Sequence, residues 1–170
     1  MLLLKNFLFT LIVPGFIVAW LPFRVFERRA RWPEDLNWHH LGGLALLMVG
    51  AGVYFHCQWL LMRRGRGTPL PIDPPRHLVQ RGLYRWVRNP LYLGLLLVIA
   101  GEALFCLSLG IAIYWICLAC VFQVFVHLFE EPDLGFRFGA MYEDYKRAVP
   151  RWLPRPPGEE ARSIPLNRER

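Results

Sequence analysis

Four long apolar runs, at 2–23, 41–62, 91–107 and 111–129, constrain what this 170-residue chain can become more than any other feature. A helix needs roughly 20 apolar residues to cross the hydrocarbon of a bilayer, and each run approaches that length. Because the 55% of hydrophobic residues is gathered into runs rather than scattered at core spacing, the chain reads as an all-α integral membrane protein with four transmembrane helices. The first run carries a single lysine, Lys5, near its start. It ends in Trp20, Leu21, Pro22 and Phe23 rather than at a small-residue cleavage site, which reads as a retained span, not a signal peptide. One domain is expected over 1–154, followed by a disordered, proline-rich and charged tail over 155–170.

The net charge of +7 lies in the connections. Basic residues flanking spans suit anionic membrane lipids and not nucleic acid. Seven arginines fall in 63–88 and eight Lys/Arg from 130 onward, against four in 24–40. The positive-inside rule then puts both termini and the two richer segments on the cytoplasmic side of a cytoplasmic (inner) membrane. Cys57, Cys106, Cys117 and Cys120 all fall inside apolar runs and are expected as buried thiols. The pair Cys117 and Cys120 has no second pair at metal spacing, and neither does His39-His40, so no metal is expected.

Within the second run, Gly42, Gly43, Gly50, Ala51 and Gly52 allow a close helix approach, and His56 and Gln58 read as ordinary interface residues. The segment 63–88 is basic and is broken by Pro69, Pro71, Pro74 and Pro75. It ends in the pattern Arg88-Asn89-Pro90, where an N-cap residue type precedes a proline suited to the first helical position. Free amides at that helix mouth, with Arg85 and Arg88 one turn before it, make a pocket receptive to anions. A connection at about 108–110 folds the third and fourth spans into a tight hairpin. Equal lengths up and back return Glu130 and Glu131 to the depth of Arg88, Asn89 and Pro90. Arg88 is then expected to pair with one glutamate while the other faces a ligand, since consecutive helix positions diverge by about 100°. His127, one turn earlier, is expected on the same face. Pro132 suits a new helix start, and apolar Leu134, Phe138, Met141, Tyr142, Tyr145 and Val149 mark a C-terminal amphipathic helix lying along the interface until Pro150. Glu102, near the end of the third run, is expected to reach the far interface.

In this order the residues resemble the membrane methyltransferases typified by isoprenylcysteine carboxyl methyltransferase and the bacterial phospholipid methyltransferases. The likeness covers about 44–154 and rests on Gly82-Leu83-Tyr84-Arg85, Arg88-Asn89-Pro90-Leu91-Tyr92, Gly94, Glu130-Glu131, the segment Phe138-Gly139 with Tyr142 and Tyr145, and Val149-Pro150-Arg151. The resemblance implies S-adenosylmethionine as methyl donor and a lipophilic small-molecule or lipid acceptor reaching the site from the bilayer. It leaves open whether oxygen, nitrogen or sulfur is methylated, and it says nothing of the oligomeric state. It implies cofactor binding by Tyr84, Arg85, Arg88, Asn89, Pro90, Tyr92, Glu130, Glu131 and Tyr142. The transfer step falls to Arg88, Asn89 and Glu131. Asn89 stands where much of the family has histidine, and an amide supplies no titrating base. The C-terminal pattern is also similar to that of membrane sterol reductases, which use a nicotinamide cofactor. A non-catalytic lipid-binding protein of the same fold is the third reading.

Overall fold

The computed structural model describes residues 12, 14–25, 36–65 and 75–158. Pro69, Pro71 and Pro74 lie outside them, as do most of the first run and the tail from 159. A π-helical turn, Gly15–Trp20, leads into a short helix α1 (Leu21–Val25). Then follow α2 (Trp38–Leu60), α3 (Pro90–Phe105), α4 (Leu109–Phe125), α5 (Glu131–Phe138) and α6 (Ala140–Ala148). The described residues are helical or irregular throughout.

Two continuous helices, Trp38–Gly65 and Leu109–Phe138, are long and apolar enough to cross a membrane, with 28 and 30 residues. The third expected span is an apolar helix of 16 residues, about 24 Å at 1.5 Å per residue, shorter than the roughly 30 Å of hydrocarbon. The fold is therefore established as all-helical with two membrane-length helices, and four spans are not shown. Large apolar side chains such as Met48, Phe55, Ile113, Ile116 and Val121 face outward. Cys106, Cys117 and Cys120 share that exposure, and only Cys57 is buried against protein. The expectation of four buried thiols fails because an apolar run marks contact with lipid as readily as contact with a neighbouring helix.

The most extensive packing joins α2 and α3, which run antiparallel. Gly43 meets Gly101 and Gly50 meets Gly94, two residues on each helix spaced two turns apart. A Cβ on Gly50 would stand 2.7 Å from Gly94 O, and one on Gly94 would stand 2.8 Å from Tyr54 N. Helix association in lipid depends on such closeness, because lipid tails are as apolar as leucine. Gly52 faces open space and takes no part.

The tight hairpin between α3 and α4 turns at 106–108, two residues earlier than expected. Leu107 adopts a left-handed conformation (φ 45°), while Ser108 N–H donates to Ala103 O (3.0 Å) and Leu107 N–H to Leu104 O (3.3 Å). This is a Schellman closure with leucine in the usual glycine place. Ser108 Oγ then caps α4 by accepting from Ile111 N–H (3.3 Å). Trp115 Nε1 donates to Leu96 O (2.8 Å) and Tyr114 OH to Ile17 O (2.9 Å), which ties α4 to α3 and to the N-terminal segment.

The fourth span and the amphipathic helix are not separate. A π-helical turn, Val126–Glu130, joins α4 to α5 without a break, and Glu131 N–H reaches Val126 O five residues back. Pro132 explains the wider turn, since its ring and missing N–H conflict with an ordinary bond to the carbonyl of Leu128. The break falls later, at Gly139, where φ is 54°. Beyond it α6 turns Tyr142, Tyr145 and Val149 into a small core with Leu78, Leu134 and Phe138. Val149 is extended before Pro150, as a pre-proline residue prefers.

Candidate functional site

The site is assembled at the Pro90 end of α3. A one-turn helix, Gly82–Arg85, begins at Gly82 with φ 59°, where a Cβ would also meet Leu60 at 2.8 Å. Tyr145 OH donates to Tyr84 O at 2.7 Å, fastening this turn to α6. Next comes a strap, residues 149–155, that returns across the helix mouth. Arg88 N–H donates to Pro150 O (2.8 Å) and Arg155 N–H to Trp86 O (3.0 Å). Asn89 Nδ2 donates to Arg151 O (3.2 Å). Asn89 thus holds the N-cap position without capping: its side chain makes no bond to the first turn, because the amide is turned toward a carbonyl 62 residues away.

The two glutamates take different partners. Glu131, only 7% exposed, accepts a bidentate pair from Arg151, with Nε–Oε1 and Nη2–Oε2 both 2.7 Å. Parallel N–H···O bonds of this kind are the strongest carboxylate contacts available to arginine. Arg88 Nη1 stands 3.1 Å from the same Oε1, yet off the line a hydrogen bond needs, so Nη1 and Nε of this buried arginine are left without an acceptor. Glu130 accepts from Tyr92 OH at 2.7 Å. Both glutamates, one at the end of the π-helical turn and one just after it, line the same cavity.

These groups line a cavity of about 410 Å³. Of the residues singled out from sequence, Tyr84, Arg88, Asn89, Tyr92, Glu130, Glu131 and Tyr142 line it. Arg85 and Pro90 do not. Arg85 Nε donates back to Gln80 O (3.2 Å), and Pro90 is buried in the helix start. His127 points outward, displaced by the wide turn, and is likewise absent from the lining. Sequence reasoning missed Arg151 as a site residue, although the Val149-Pro150-Arg151 motif carried the signal. It also missed Asp133, which pairs with Arg137 (3.2 Å) while Arg137 Nη2 donates to Pro75 O. No periodicity marks that pair as facing a cavity.

Burial keeps the phenols protonated. The Tyr142 hydroxyl is pushed up to about 12, first by burial and then by the Glu131 carboxylate. Burial likewise raises Tyr84 and Tyr145 above the ordinary tyrosine range. These side chains offer hydrogen-bond donors and aromatic faces, not bases. Among the described residues no group of three or more His, Cys, Asp or Glu could hold a metal ion.

A family model described as phospholipid methyltransferase matches residues 38–141. The chain is also similar to methanethiol S-methyltransferase 2 of Bradyrhizobium diazoefficiens, with 42% identity over 81 residues that cover 43% of this chain and 27% of that protein. It therefore spans about a quarter of that relative's length. No solved structure matches the chain significantly.

Proposed function

We propose that this chain, which belongs to the phospholipid methyltransferase family, transfers the methyl group of S-adenosylmethionine to an apolar acceptor that reaches the site from the bilayer. Members of that family take their methyl from S-adenosylmethionine. The family match favours methyl transfer over the nicotinamide-dependent reduction that the C-terminal pattern also resembles, and over a purely lipid-binding role. The carrying observation is Arg88, buried at a helix mouth with two donors lacking an acceptor inside a cavity of donor size.

The residues fit the donor. Arg88 Nε, left without an acceptor, matches its carboxylate, and the free amides of the first turn of α3 add to that end. Glu130, with one oxygen on Tyr92, matches ribose hydroxyls or a cationic group, and the rings of Tyr92 and Tyr142 suit the sulfonium or adenine faces. When bound, the donor supplies an electrophilic methyl on a sulfonium. The protein orients it and excludes water, which is most of what a direct displacement needs. In this reading Glu131 is a positioning residue, held by Arg151 so that it in turn holds Arg88. The acceptor is lipophilic, either a lipid or, as the name of the Bradyrhizobium relative indicates for that protein, a small thiol. The arginine distribution favours a site on the cytoplasmic side.

Calorimetric titration of the full-length chain in detergent tests this. S-adenosylmethionine should bind and NADPH should not. Glu130→Gln should weaken donor binding by more than about 1.4 kcal/mol, a factor of ten. Binding of NADPH alone, or unchanged affinity in both Glu130→Gln and Glu131→Gln, overturns the reading.

A further inference from the structure

On α2, Met48, Gly52, Phe55 and Trp59 are all exposed and fall at i, i+4, i+7 and i+11, one line along the helix. Arg63, one turn further, continues that line, with its guanidinium 4.1 Å from the centroid of the Trp59 ring. Apolar side chains, then an indole, then a cation is the order in which hydrocarbon, interface and headgroups follow one another. The line therefore fixes a depth, with Trp59 at the edge of the hydrocarbon and Arg63 among the headgroups.

The one-turn helix Gly82–Arg85 sits against this end of α2. A Cβ on Gly82 would meet Leu60 at 2.8 Å and His56 Nε2 at 3.1 Å, so Arg81 and Arg85 share the depth of the last turns of α2. Arg85 engages Nε with Gln80 O (3.2 Å), and its two terminal nitrogens meet no described acceptor. Trp86 follows directly and is exposed. Its carbonyl accepts from Arg155 N–H, which brings the end of the strap to the same edge. Neither Arg63, Arg81 and Arg85 nor Arg155 lines the cavity.

From this face we infer that Arg63, Arg81, Arg85 and Arg155 hold the headgroup phosphate of an anionic phospholipid beside the cavity, with Trp59 and Trp86 against its glycerol and upper chains. The first ground is charge. Among the described residues the ion pairs lie on Arg88, Arg137, Lys146 and Arg151, and no described acid pairs with these four arginines. Between 41 and 101 the sequence has one acid, Asp73, against seven arginines. On α6, by contrast, Lys146 and Arg147 stand beside Glu143 and Asp144, and Lys146 has Glu143 at 3.5 Å. Uncompensated cations at this depth attract the anionic lipids of a leaflet, and the guanidinium fork takes phosphate oxygens in pairs.

The second ground is the kind of surface. A free phosphate needs only the cations, whereas here two exposed indoles flank them and an apolar line leads up to them. Indoles so placed belong to the belt at the membrane interface. The occupant is therefore a lipid. It links the one-turn helix, which carries Tyr84, to the strap, which carries Arg151, and so braces two segments that frame the site.

The test titrates the full-length chain in neutral detergent with dioctanoyl phosphatidylglycerol, dioctanoyl phosphatidylcholine and glycerol 1-phosphate. Native mass spectrometry reads bound lipid, and thermal unfolding reads stabilisation. Phosphatidylglycerol should bind about tenfold or more tightly than phosphatidylcholine, and glycerol 1-phosphate at matched concentration should not displace it. Arg63→Gln combined with Arg81→Gln should weaken phosphatidylglycerol binding about twentyfold, at about fivefold for each surface cation near an anionic headgroup. Lys146→Gln combined with Arg147→Gln removes the same charge and should leave that binding unchanged. Arg155→Gln, whose tie to Trp86 runs through the backbone, should weaken it about fivefold and decides the matter where the double variant does not fold. Equal affinity for the two lipids overturns the inference, as does an equal loss in the two double variants, which would mean diffuse charge and no site. Displacement by glycerol 1-phosphate overturns it too, in favour of a free-phosphate site. None of these readouts uses S-adenosylmethionine, so their failure leaves the methyl-transfer reading standing.

Discussion

The two ends of α3 are held by opposite means. From Gly94 to Gly101 the helix is fixed by missing side chains, since Gly43, Gly50, Gly94 and Gly101 let two backbones meet at distances no Cβ tolerates. At the Pro90 end it is fixed by some of the most charged side chains in the molecule, with Arg88 and Arg151 converging on Glu131. Without a hydrophobic force to press helices together in lipid, the glycine face depends on proximity and accepts no addition. The charged end depends on pairing and accepts no subtraction. The difference separates stability from chemistry, because the charged end leaves Arg88 with unused donors in the lining of a cavity, whereas the unpaired Oε2 of Glu102 at the glycine end does not line it.

Removal of a charged partner should have the largest effect. Glu131→Ala strands two arginines, and loss of one member of a buried pair typically costs about 3–5 kcal/mol. Arg151, itself about a quarter exposed, should fall at the low end of that range when changed to Ala. Thermal unfolding in detergent of both single variants and of the double variant measures this, and the double should lose clearly less than the sum. Additive losses would mean that the cluster is not one unit, and the contrast between the two ends would fail.

The glycine face should respond less, though in the opposite chemical sense. Gly50→Ala and Gly94→Ala each add one methyl against backbone and should destabilise by about 1–3 kcal/mol, as overpacking does. Gly52→Ala, pointing into open space, should be neutral or gain up to about 1 kcal/mol in helix propensity. If all three alanine variants behaved alike in the same unfolding experiment, close approach would not be what joins α2 to α3.

Asn89 sharpens the boundary between these regions. Asn89→Leu loses the bond to Arg151 O and should cost about 1 kcal/mol. Asn89→His retains an N–H donor and should preserve both fold and methyl transfer, assayed by product mass spectrometry. Loss of transfer in a folded Asn89→His variant would break the equivalence of amide and imidazole.

The smallest effect is expected at Glu102. It is 12 positions beyond Pro90, about 18 Å along the helix, and its Oε2 is buried without a hydrogen-bond partner. Glu102→Gln should leave calorimetric donor affinity unchanged. A marked loss would extend the functional region into the half of α3 that the glycines hold.

Much of this arrangement is legible from residue order alone. Membrane-length runs, a helix beginning at Pro90, and a hairpin short enough to bring Glu130 and Glu131 back beside Arg88 all follow from local propensity and from equal rise per residue. These properties depend on near neighbours in the chain, and a linear sequence reports near neighbours well. The tertiary structure alone decided the rest. It decided that Pro132, in the first turn of α5, widens the turn before it instead of separating two helices, that Gly139 carries the break, that Leu107 closes the hairpin in a left-handed conformation, and that Asn89 reaches across to Arg151 instead of capping. It also divided the labour between adjacent glutamates, giving Glu131 to the arginines and Glu130 to Tyr92 and the cavity. Each of these outcomes is a competition between a local preference and a partner supplied from far along the chain, and the partner's position exists only once the helices have packed.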